Sequence, residues 1–120
     1  MKFLITIGIF LFTLLAGNCS YAQDFEYRKI ENEAFQAGEK LKYKVYYESM
    51  LTGKVNAGTA TLDVQNTNRH FNGREAYHIV GIGKSNAAFD MFFKVRDRFE
   101  TYMDKEALMP YLFIRRTYEG

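Results

Sequence analysis

Past residue 40 the chain alternates. Leu41, Tyr43, Val45 and Tyr47 are separated by Lys42, Lys44, Tyr46 and Glu48, the period of two that belongs to a half-buried strand. Thr52-Gly53 marks a turn, and Lys54 to Gln65 resumes the alternation, with Ala60, Leu62 and Val64 on one face and Thr59, Thr61 and Asp63 on the other. Asn72-Gly73 is the strongest local signal, because a two-residue type I′ turn needs positive φ at both central positions. Arg74 to Lys84 is a third strand, apolar on both faces around Ile79, Val80 and Ile82, which places it in the middle of a sheet. Ser85 to Met91 loses the alternation and reads as a helical turn. Phe92 to Met103 restores it as a fourth strand, Asp104 to Met109 is a polar turn, and Pro110 opens a fifth strand, a position where its missing N–H is tolerated. Along that strand Tyr111, Phe113 and Thr117 are expected on one side and Leu112, Ile114 and Tyr118 on the other.

Five strands joined by short connections predict a meander rather than a βαβ array. The fold class is therefore mainly all-β: a curved antiparallel sheet, or half-open barrel. Ahead of it, Ile30, Ala34 and Phe35 share a helical spacing, which predicts a short helical or irregular N-terminal lead-in ended by Gly38. A sheet that stopped at Gly120 would present a long flat edge, which proteins normally cover; the expectation is the N-terminal part of a longer domain.

The first residues change the picture of where such a sheet resides. Lys2 precedes an apolar run from Phe3 to Leu15, and Ser20-Tyr21-Ala22 follows with small residues at the two positions a signal peptidase reads. The run is short of the roughly 20 residues that span a bilayer. Residues 1–22 read as a signal peptide, with the domain proper over residues 23–120. The expected location is the periplasm or the periplasmic face of the outer membrane. Cys19 lacks the small preceding residue of a lipoprotein signal, since Asn18 stands there, so lipidation is the secondary reading. Cleavage after Ala22 leaves no cysteine, and such a domain holds together by burial rather than by disulfides.

Charge and composition exclude several classes. Removing Lys2 with the leader leaves 15 basic against 14 acidic residues, which is not the strong basic field of a nucleic-acid binder. The basic residues read as scattered rather than gathered on one face. Phe and Tyr make up 17% of the chain and Trp is absent, enough large rings for a real core.

Familiar chemistries fit poorly. Gly81-Ile82-Gly83-Lys84-Ser85 resembles the end of a phosphate loop, but His78 occupies the place of the required first glycine. His70 and His78 without a mature cysteine cannot assemble a tetrahedral nitrogen and sulfur site. Neither Ser49 nor Ser85 sits on a nucleophile elbow. No catalytic, metal or cofactor residues are assigned.

Two constellations remain. Asp97 alternates onto the apolar side between Val95 and Phe99, where a carboxylate needs a partner. If Met103 pairs with Met109, Asp97 faces Arg115 as an internal ion pair, and Arg96 faces Arg116. The second concerns space. A tight Asn72-Gly73 turn pairing Phe71 with Arg74 puts Leu62 beside Gly83 and Val64 beside Gly81. Tyr43, Tyr47, Phe92, Phe93 and Phe113 would then line an apolar hollow with those four residues, suited to an apolar or lipid-like ligand.

Phe35-x-x-Gly38-Glu39-x-Leu41-x-Tyr43, Val55-Asn56-Ala57-Gly58-x-Ala60, Gly73-Arg74-x-Ala76-Tyr77-His78 and the run Phe93-Lys94-Val95-Arg96-Asp97-Arg98-Phe99-Glu100-x-Tyr102-Met103-Asp104, followed by Leu108-x-Pro110-x-x-Phe113, resemble the domain of unknown function 3108 family over roughly residues 35 to 120. The resemblance implies an exported protein of Gram-negative bacteria, of about twice this length, with no established activity and no catalytic residues to carry over. The aspartate, turn and Leu-x-Pro run is also similar to the half-open barrels of periplasmic lipoprotein carriers, a fold-level analogy only. The expected function is a non-enzymatic envelope domain binding an apolar or lipid-like ligand in a concave sheet. The alternative is a structural or protein-interaction module holding an envelope partner.

Overall fold

The computed structural model describes residues 25–120; the signal-peptide reading and Cys19 lie outside them. The described residues form a five-stranded antiparallel sheet: β1 (Lys40–Ser49), β2 (Gly53–Phe71), β3 (Arg74–Ser85), β4 (Arg96–Asp104) and β5 (Pro110–Arg116), with the one-turn helix α1 (Ala87–Asp90) between β3 and β4. The spatial order follows the chain order, β1-β2-β3-β4-β5, as a meander requires. The sheet is not closed into a barrel, and β1 and β5 are its edges.

Local chemistry accounts for the turns. Asn72 and Gly73 have φ of 51° and 74°, the left-handed pair of a type I′ hairpin. Asn86 caps α1, its Oδ1 accepting from Phe89 N at 2.8 Å, one of the orphan amides that every helix start leaves open. Phe92 and Phe93 stay in the loop after α1, so the fourth strand starts four residues later than the alternation suggests. Their amides donate to Phe89 O, both at 2.9 Å, and the helix end thereby claims donors that a strand ladder would have used.

The lead-in is irregular rather than helical. From residue 25 to 39 it runs without a helix, because its backbone finds partners in the sheet. Ile30 N donates to Glu106 O at 2.9 Å, and Gly38 N to Val64 O at 2.8 Å. Arg28 Nε adds a bond to Ala107 O at 2.7 Å. The spacing of Ile30, Ala34 and Phe35 is weak, and tertiary hydrogen bonds outweigh a helix that short.

Three irregularities set the register. Ala57 is an extra residue in β2, since Val45 pairs with Gly58 and Tyr46 with Asn56. Between Asn66 and His70 the β2–β3 register shifts by two. The expected pairs are corrected accordingly: Leu62 faces Gly81, Val64 faces Ile79, and Ala60 faces Gly83. A shift of two keeps every side chain on its expected face, whereas a shift of one would exchange the faces. The third irregularity lies between Tyr102 and Met103, where Met103 pairs with Pro110 and Tyr102 with Leu112. Tyr111 is the surplus residue, and it turns to the face opposite Phe113.

The core is small. Among the described residues Val64, Ala76, Val80 and Ala107 are the buried apolar side chains. They lie at the lead-in end, where the chain doubles back over the sheet.

Candidate functional site

Cross-strand pairing builds an apolar front face row by row. Leu41, Leu62, Gly81, Phe99 and Arg115 align across all five strands; Tyr43, Ala60, Gly83 and Asp97 form the next row; Val64, Ile79, Thr101 and Phe113 form a third. Much of this face meets solvent: Leu41 is 44% exposed, Tyr43 51% and Phe113 62%. Scattered exposed apolar residues are ordinary, whereas these stand contiguously across neighbouring strands.

Two hollows open on it. The larger, about 280 Å³, is enclosed by Ala34, Phe35, Glu39, Leu41, Leu62, Val64, Ile79 and Met103. The lead-in forms one wall, with the Phe35 ring edge-on to Tyr77 at 5.7 Å. The smaller, about 180 Å³, lies where α1 overhangs the sheet, between Val45, Ala60, Gly83, Phe89 and Val95. A methyl added at Gly81 would sit 3.9 Å from Leu62 Cδ1, and one at Gly83 3.9 Å from Asp97 Cβ. A methyl at either glycine would therefore be accommodated in ordinary van der Waals contact. Thr101 Oγ1 on this face is buried without a hydrogen-bond partner among the described residues.

Leu62 and Val64 line the larger hollow and Gly83 the smaller. Tyr43 and Gly81 share the face, Tyr47 reaches Phe89 at 6.1 Å between rings, and Phe113 stacks on Phe99 at 6.2 Å. Phe92, 86% exposed, and Phe93 do not line either hollow. The alternation already carried Leu41 and Val45 on Tyr43's face. Phe35, Phe89 and Met103 needed the lead-in path and the registers.

The Asp97–Arg115 pair is corrected. Arg115 stands opposite Phe99, its guanidinium 5.9 Å from that ring, while Asp97 accepts the Tyr118 amide at 3.2 Å. Met103 pairs with Pro110 rather than Met109, one residue on, and the bulge at Tyr111 adds a second, so the register beyond it slides by two. Arg116 likewise faces Arg98, not Arg96.

The charged centres lie on the back face. Asp104 is fully buried, and its carboxylate accepts from Arg74 Nε at 2.5 Å, Arg74 Nη2 at 2.9 Å, the Glu106 and Ala107 amides at 2.8 and 2.6 Å, and the Tyr111 hydroxyl at 2.5 Å. Arg74 foremost holds its carboxyl far below the usual carboxylate range. Burial, then the bond to Asp104, pushes the Tyr111 hydroxyl up to about 12. Glu100 accepts from Arg98 Nη2 at 2.6 Å and Arg116 Nη1 at 3.3 Å, with His78 Nε2 at 3.5 Å. The bond from Arg98 is the main cause that lowers its pKa. The donors that Asp104 and Glu100 accept from are arginines, a tyrosine hydroxyl and amides of the β4–β5 turn. That is how a carboxylate ties strands together. Among the described residues no three His, Cys, Asp or Glu side chains stand together as a metal site would require.

Fold and site define an open antiparallel β-sheet domain with one apolar face and one charged face. The chain belongs to the family described as "Protein of unknown function (DUF3108)", whose family model matches residues 42–120. No curated protein and no solved structure matches it.

Proposed function

We propose that this is an exported, non-enzymatic domain of the bacterial cell envelope that holds an apolar or lipid-like ligand against the front face of its sheet. The observation that carries the reading is the larger hollow, whose walls are aliphatic and aromatic apart from Glu39. Ligand sites are mostly apolar concavities with a few polar groups that fix orientation. Glu39 at the rim and Thr101 along the face supply such groups. The leader-like residues 1–22 and the location they imply are part of the same proposal.

Native mass spectrometry and solvent extraction of the purified protein test it. A stoichiometric apolar molecule is expected, and Leu41→Asp should lower its retention about tenfold, because the charge would be desolvated by the ligand. Leu41 lies on an edge strand and is 44% exposed, so this variant keeps its fold. A protein that carries nothing and takes up no added fatty acid would refute the reading.

The second reading, a module that binds an envelope protein, draws on β1. That edge strand is exposed almost throughout, and among the described residues no strand pairs with its outer edge, the side on which a partner's strand could add. Crosslinking that returns one stoichiometric protein and no lipid would favour it.

A further inference from the structure

The near-neutral total charge conceals a segregated surface. Pairing aligns Lys44, Thr59, Lys84 and Arg96 across β1 to β4 on the back face. One step along, Lys42, Thr61, Ile82, Arg98 and Arg116 cross all five strands. The scatter expected from the sequence is thus corrected, because residues 42 to 116 come together only through the registers.

The band contains its own repulsions. Lys84 stands directly opposite Arg96, and Arg98 opposite Arg116, arrangements that weaken a sheet. Two carboxylates answer part of this charge: Asp90 binds Arg96 at 2.5 Å, and Glu100 is shared by Arg98 and Arg116. Lys42, Lys44 and Lys84 are exposed and form no ion pair among the described residues. Exposed rings and an aliphatic side chain stand among the cations. Tyr46 is 47% exposed, Ile82 38% and Tyr118 58%, and Tyr118 extends the first row through paired bonds with Arg96 at 2.9 and 3.2 Å.

We infer that this basic band docks the domain on an anionic phospholipid membrane surface. Lysines and arginines are drawn to such a surface, and tyrosine rings rest at the headgroup level. A single-stranded nucleic acid would call for a basic groove with rings on which successive bases stack. Here the cations are spread over two rows of one sheet face, which matches a plane of headgroup phosphates. The inference is independent of the apolar-ligand reading, since it uses the opposite face.

The test measures partitioning of the whole chain onto vesicles of phosphatidylcholine alone and of phosphatidylcholine with phosphatidylglycerol. The readout is the ratio of the two partition constants; because Lys2 of the leader also favours the anionic vesicles, the change between wild type and the band variant assigns the effect to the band. A ratio well above one that collapses in strong salt is expected. The triple variant Lys42→Gln, Lys44→Gln, Lys84→Gln should lower it about a hundredfold, at roughly fivefold per cation. These side chains make no ion pairs among the described residues, so the variant keeps its fold and its circular dichroism. A ratio near one, a ratio unchanged in the triple variant, or tighter binding to single-stranded DNA than to the anionic vesicles would each overturn the inference.

Discussion

Arg74 reaches Asp104 from the neighbouring strand with two nitrogens, at 2.5 and 2.9 Å. The same carboxylate accepts the Glu106 and Ala107 amides, so one side chain joins β3, the β4–β5 turn and, through Tyr111, β5. Tyr27 of the lead-in lies against this Arg74, its ring 4.5 Å from the guanidinium, and Asn72 Nδ2 donates to the Tyr27 hydroxyl at 3.0 Å. With few buried apolar residues at hand, this polar hub organises the closed end of the sheet.

Asp104→Asn keeps the shape but places an amide among donors. The expected loss is about 3 kcal/mol, the scale for removing one partner of a buried ion pair. Urea unfolding at neutral pH measures it, and an unchanged midpoint would show that the hub does not hold the sheet end.

Acid should act on the same group. Its folded-state pKa is depressed, so its contribution is present above the ordinary aspartate value and is lost as pH falls through and below it. Asp63, Asp90 and Glu100 are shifted the same way. Stability therefore declines below about pH 4, and Asp104→Asn should flatten that decline in a pH series of urea midpoints.

The alkaline limb has the opposite sign. The Tyr111 pKa is raised from 10.0 to about 12, so its contribution is intact below the unfolded value and disappears as pH climbs from 10.0 to about 12. Tyr111→Phe should lose less stability than the wild type over that interval, in unfolding followed by far-ultraviolet circular dichroism at fixed urea.

Gly58 and Gly83 should respond in opposite directions to alanine. A methyl at Gly58 would overlap Lys84 O and lie 2.9 Å from Ser85 Cα, where β2 bulges against β1 and its backbone presses on β3, at a cost of about 1–3 kcal/mol. At Gly83 the nearest atom is 3.9 Å away, and the reduced freedom of the unfolded chain should stabilise by about 0.5 kcal/mol. Thermal melts of the two variants, compared with the wild type, decide it.

Glu100→Gln removes the negative charge that Arg98 and Arg116 share. These arginines face each other across β4 and β5, so the variant should be less stable at low ionic strength. The gap to wild type should narrow at about 1 M salt, where the screening length falls to roughly 3 Å. A gap independent of salt would show that repulsion is not its cause.

The alternation from Leu41 onward was sufficient to specify the five strands, their order and most of each face, Phe92, Phe93 and Tyr111 being the exceptions. Within an unbulged stretch a side chain's face depends only on the parity of its position, and parity is written locally. Asn72-Gly73 fixed one hairpin for the same reason, since positive φ at both residues admits few other choices. The registers were decided by tertiary structure. The Ala57 bulge answers to a contact far away in sequence, Asn86 at the cap of α1 bonding the backbone of Asn56 and Ala57, and the Tyr111 bulge to the Asp104 carboxylate that accepts its hydroxyl. The same slips separated Asp97 from Arg115, brought Phe35 and Met103 to one hollow, and lined up lysines and arginines from residues 42 to 116 into one band. Pairing energy is nearly the same at neighbouring registers, so side-chain packing at the ends of the strands selects among them.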